Sequence, residues 1–219
     1  MNTRSDTGFL EKIVNKFTDI IKDFMKRNTI SDEDVRDYKR SNLHSWLQYA
    51  MIKAGECVRL LAVPEIKLYF TKPLNPQDYG LVNKKMKRHF KRVDVGFHDS
   101  NKKLLGISEI FTMDEAHGCL STLELVKVKL YWLTPRDTLI YAVQNSKQRL
   151  EFVIIVVALS KSAKYIAWKT GISKIDSELQ KDKNYYRVFK DRWIEFKNEL
   201  ERYVNCSLVI ISEDSIEII

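Results

Sequence analysis

Arg92-Val93-Asp94-Val95-Gly96-Phe97, then a polar turn Asp99-Ser100-Asn101-Lys102, then Leu104-Leu105-Gly106-Ile107-Ser108-Glu109-Ile110-Phe111, is the stretch that decides the fold. Two runs of apolar residues at alternating positions, separated by a cluster of turn formers, read as a β-hairpin. If the turn holds an even number of residues, the paired positions sum to an odd number. Asp94 then shares a sheet face with Ile107 and Glu109. Two carboxylates converge on that face. Hard divalent cations take oxygen ligands, and Mg²⁺ is commonly held by one or two carboxylates with waters and substrate phosphates, so Asp94 and Glu109 are candidate ligands for Mg²⁺ or Mn²⁺. The bland alternative is a hairpin whose charges face water, and the apolar flank of Val93, Val95, Leu105, Ile107 and Ile110 argues against it.

Upstream, apolar residues at Leu10, Ile13, Phe17, Ile20, Ile21 and Phe24 recur at helical spacing and predict an amphipathic helix. Ser31 followed by Asp32, Glu33 and Asp34 reads as the start of a second helical stretch running to about Ala62. Glu65 to Phe70 reads as a strand, and Pro73, Pro76 and Gly80 mark a loop. Downstream, Ser121-Thr122-Leu123-Glu124 matches a capping box for a helix to about Leu133, although Val126 to Leu130 also alternates like a strand. Thr138 to Gln144 and Phe152 to Leu159 read as strands, the second apolar on both faces like a strand in the middle of a covered sheet. Tyr185 to Val204 reads as a helix and Leu208 to Ile211 as a strand. The expected class is α/β, or α+β in loose usage: one domain over 1–219, with 1–62 a helical N-terminal region and 63–219 a mixed-sheet core flanked by helices.

Composition narrows the partners. Lys+Arg 37 against Asp+Glu 29 leaves +8, which favours a polyanion. Lys84-Lys85-Met86-Lys87-Arg88-His89-Phe90-Lys91-Arg92 concentrates that charge immediately before Asp94, so Lys84, Lys85, Lys87, Arg88, Lys91 and Arg92 are candidate DNA-phosphate contacts. A solvated, lysine-rich loop is the competing explanation. The longest apolar run, Phe152 to Leu159, is far below the roughly 20 residues of a membrane-spanning helix, so no membrane partner is expected. Cys57, Cys119 and Cys206 form no paired motif, which points to a reducing, cytoplasmic setting. His44, His89 and His98 are too scattered for zinc, Asp114, Glu115 and His117 read as an acidic loop entering a helix, and Cys119 has no orienting partner for nucleophilic work.

The two strands also resemble those of the PD-(D/E)XK nuclease superfamily, whose hallmark is an Asp on one strand and Glu-x-Lys on the next. Asp94 and, fifteen residues on, Ser108-Glu109-Ile110-Phe111 are similar to that pair. Ala54-Gly55-Glu56-Cys57-Val58 resembles the helix that carries a further Glu in members like the Holliday junction resolvases, with Glu56 at the matching position. The resemblance spans roughly Lys53 to Leu159. It implies a restriction-endonuclease-like fold, a Mg²⁺- or Mn²⁺-dependent endonuclease acting on structured DNA, and a homodimer. A protein that keeps the fold and binds DNA without cutting is the alternative. Phe111 stands where the family has its lysine. The missing cation is expected from Arg92, opposite Glu109 in a register centred on Ser100 and Asn101, or from Lys127 or Lys129 on the following helix, with Lys127 favoured for its flexible reach.

Overall fold

A computed structural model of the chain describes residues 8–27, 40–75, 87–112, 135–159, 161 and 185–219. In chain order these form α1 (Gly8–Arg27), α2 (Arg40–Cys57), β1 (Leu61–Leu74), β2 (Arg88–His98), β3 (Leu104–Phe111), α3 (Pro135–Asn145), β4 (Phe152–Ala158), α4 (Tyr185–Leu200), β5 (Asn205–Ile211) and β6 (Ile216–Ile218). The six strands lie in one sheet in sequence order. β1, β2 and β3 pair antiparallel, β3, β4 and β5 pair parallel, and β6 returns antiparallel on β5. The class is mixed α/β, as the sequence predicts.

β4 shows why. Phe152, Ile154 and Val156 join a core layer with Ile13, Phe17, Leu47 and Met51 of α1 and α2, while Val153, Ile155 and Val157 join a second layer with Leu139 of α3 and Phe189, Trp193 and Phe196 of α4. A strand covered on both faces has no polar side, which is the pattern that marked Phe152 to Leu159 as central. The apolar stripe of α1 is buried within its own chain, with Ile13 and Phe17 fully enclosed. At the far edge, β6 covers β5, and Leu208 and Ile219 exchange both backbone hydrogen bonds, at 3.0 and 2.9 Å.

Three boundaries differ from expectation. Thr138 to Gln144 lies in helix α3 and not in a strand: Pro135 opens it with its fixed φ, Asp137 sits in the first turn, and Leu139 and Ala142 face the core at helical spacing. The β-branched content of Thr138, Ile140 and Val143 is a weaker cue than that spacing. α2 stops at Cys57 instead of near Ala62, because the chain turns out through Arg59 in the left-handed region (φ 65°) with Leu60 N–H donating to Gly55 O at 3.1 Å. β1 is longer than Glu65 to Phe70 and contains Pro64 and Pro73, tolerated because it is an edge strand. The start expected at Ser31, the loop at Pro76 and Gly80, and the helix from Ser121 to Leu133 lie outside the described residues.

The hairpin turn forms where expected. Asp99 Oδ1 accepts from Asn101 N–H at 2.8 Å and Lys103 N–H at 2.9 Å. Lys102 closes the turn at φ 61°, a conformation costly for a residue with a Cβ. Lys102→Gly should therefore raise stability by about 1 kcal/mol, seen as a melting temperature higher by about 2–4 °C.

Candidate functional site

The β2–β3 ladder runs through Val95 opposite Ser108 and stops there. Beyond it β2 continues back to Arg88 on β1, while β3 continues to Phe111 on β4, so the two strands part and leave a notch. Backbone groups at such a break need new partners. Asp94 Oδ2 accepts the Ile110 N–H at 2.7 Å, and Gln48 of α2 donates to the Asp94 carbonyl at 2.8 Å. Strand β2 also changes face here: Val95 and Phe97 belong to the layer under α1 and α2, whereas Val93 belongs to the layer under α3 and α4. Strict alternation would keep all three together, so Asp94 marks a local irregularity of the kind that re-aims a side chain. On β1 the pairing skips Glu65 between Pro64 opposite Val95 and Ile66 opposite Val93, and Glu65 has φ 54°. The left-handed backbone at Glu65, costing about 1–2 kcal/mol, lies level with Asp94.

Two acids and a lysine meet in the notch. His44 Nε2 of α2 lies 3.2 Å from Asp94 Oδ1, and Lys91 Nζ lies 2.5 Å from Glu109 Oε1. The Lys91 and Glu109 side chains are only 11% and 9% exposed, which separates this ion pair from the solvated pairs elsewhere. Burial pushes the Glu109 carboxyl up to about 7, the charge of Asp94 adds to that push, and Lys91 opposes it. Glu109 Oε2 is buried with no hydrogen-bond partner among the described residues, as is Ser108 Oγ. Such buried polar atoms without a partner are few in folded proteins.

Asp94 and Glu109 are thus brought together, although at a break in the sheet and not across one flat face: His44 reaches Asp94 from the α2 side, while Ile107 and Phe111, two residues either side of Glu109, pack under α4. Glu56 is placed apart. It pairs with Lys53 at 2.7 Å on the exposed end of α2, eight residues and about 12 Å along the axis from Gln48. The helix offers His44 and Gln48 to the notch. Lys91, expected among the DNA contacts, instead holds Glu109. Arg92 is not opposite Glu109, because the register through Val95 and Ser108 sums to 203 where the expected register sums to 201; its guanidinium lies 3.1 Å from Glu65. A bulge between Phe97 and His98 accompanies that difference. Phe111 is buried with its ring 4.7 Å from Trp193, so the motif position points into the core.

Lys87 and Arg88 are exposed. Lys84, Lys85, Asp114, Glu115, His117, Cys119, Glu124, Lys127 and Lys129 lie outside the described residues. Cys57 is exposed, while burial pushes the Cys206 thiol up to about 12 and leaves it unreactive. Among the described residues no group of three or more His, Cys, Asp or Glu side chains gathers around one point. None of the helices among the described residues is long and apolar enough to cross a membrane. No protein-family model, curated protein or solved structure matches the chain.

Proposed function

We propose that the protein is a Mg²⁺- or Mn²⁺-dependent DNA endonuclease of the PD-(D/E)XK type, acting on structured DNA. The observation that carries this reading is the notch itself: Asp94 and Glu109 side by side, Lys91 on Glu109 Oε1, and Glu109 Oε2 buried and unpartnered among the described residues. Among the described residues the order α2, β1, β2, β3, α3, β4 is compatible with that reading. Asp94 and Glu109 would hold the cation, which when bound supplies Lewis-acid charge and a water of lowered pKa. His44 and Gln48 orient Asp94 from α2. The Lys91 ammonium is in place to offset negative charge that develops on a phosphodiester, the role the family assigns to its motif lysine. Exposed Lys87 and Arg88 lead phosphates toward the notch. A homodimer would bring two such notches to two strands, through a surface other than the enclosed stripe of α1.

Metal-dependent cleavage of branched and linear DNA by the parent, Asp94→Asn and Glu109→Gln proteins tests this. Asp94→Asn keeps an oxygen for the Ile110 N–H, so its fold should survive while cleavage drops by about 10³-fold or more. Retained cleavage in either variant would refute the assignment. A parent that binds DNA and never cuts would favour the non-catalytic reading, for which the Lys91 pairing that already fills one Glu109 oxygen speaks.

A further inference from the structure

The β1–β2 ribbon has a second, outward face. Leu68 and Phe70 of β1 and Val93 of β2 turn into the layer under α3 and α4. Their alternates turn the other way: Tyr69 stands opposite Phe90, and Lys67 opposite Arg92. Tyr69 is 49% exposed and Phe90 37%, with ring centroids 5.7 Å apart. Lys67 Nζ sits 4.9 Å from the Phe90 ring centroid. Two aromatic rings side by side in water, on a face that also carries Lys67, Arg88 and Arg92, make an exposed apolar patch with a cationic rim. At two-residue steps Arg88, Phe90 and Arg92 lead along β2 to Asp94, which His44 contacts from the α2 side, the same side of the sheet. Phe90 to Asp94 is about 13 Å at a strand's rise.

We infer that this outward face binds an unpaired nucleic-acid strand, stacking bases on Tyr69 and Phe90 while Lys67, Arg88 and Arg92 take the phosphates. The occupant follows from charge and shape together. The cations suit a polyanion, and exposed ring faces stack on bases only where those bases are free of a duplex. Arg92 is held by Glu65 in an exposed pair, worth about 0–1 kcal/mol, so it exchanges readily for phosphate. Stacking reads no base edges, so selection is for unpaired strands and not for a sequence. That the bound strand feeds the notch rests on the nuclease reading; the stacking itself does not.

The test is fluorescence anisotropy on the full chain in EDTA, with a labelled oligothymidylate of about twenty nucleotides and a blunt duplex of similar length. Tyr69→Ala and Phe90→Ala should each weaken oligothymidylate binding roughly five- to hundredfold, change duplex binding far less, and leave the salt slope unaltered because no charge is removed. Tyr69→Phe should bind like the parent, and Tyr69→Leu, which keeps apolar bulk without a ring, should fail like Tyr69→Ala. Unchanged binding in the alanine variants, or equal losses on both probes, would overturn the inference. So would light scattering that shows the parent self-associating through this patch and the alanine variants monomeric. Binding without cleavage leaves the stacking face standing and removes the nuclease, whereas cleavage with unaffected variants removes only the stacking face.

Discussion

Lys91→Ala should destabilise the protein by about 3–5 kcal/mol above neutral pH and by much less in mild acid, because it strands the Glu109 carboxylate in a buried site. Folded Glu109 already titrates at about 7 instead of the ordinary 4.5, with burial as the main cause. The folded state therefore binds this proton more tightly than the unfolded chain does. Its contribution to stability is fully present below about 4.5 and is lost as pH rises through about 7. Removing the ammonium pushes the folded value higher still, which deepens the loss on the alkaline side. Urea unfolding at about pH 5.5 and about pH 8.5 measures it, and Lys91→Ala/Glu109→Gln should recover most of the alkaline deficit. An equal penalty at both pH values would show that Lys91 acts through packing alone.

Phe111→Lys, which restores the family's lysine in the sequence, should unfold or nearly unfold the protein and confer no cleavage. Phe111 is 2% exposed and lies against Trp193, which is fully buried and packs in turn on Phe196. An ammonium there is taken out of water against the Trp193 ring and costs about 4 kcal/mol or more. Phe111→Leu, which keeps the site apolar, should lose only about 1–2 kcal/mol. Thermal melts of the two variants decide it. A stable, more active Phe111→Lys protein would mean that the β3 end is free to turn its side chains toward the notch.

The hairpin and the central strand were legible because alternation and two-sided apolarity are local patterns. Asp94 and Glu109 could be paired from type and spacing alone. Lys91 could not: period two places it on the opposite face of β2 from Asp94, and only the end of the β2–β3 ladder lets both reach Glu109. His44 and Gln48 were equally hidden, since nothing in α2 says which turn crosses the notch. The Arg92 expectation failed because a bulge at the hairpin end changes every pairing beyond it. α3 was misread where β-branched residues outweighed the spacing of Leu139 and Ala142.

One small element has a reach beyond the site. β5 carries Leu208, Val209 and Ile210 fully buried, and its outer edge is covered by β6, three residues long, together with Ile219. A protein trimmed of Ile216 to Ile219 would present a bare, β-branched edge with free peptide groups, a template on which further chains add strand by strand. Without that short return strand the sheet would have a second long open edge beside β1.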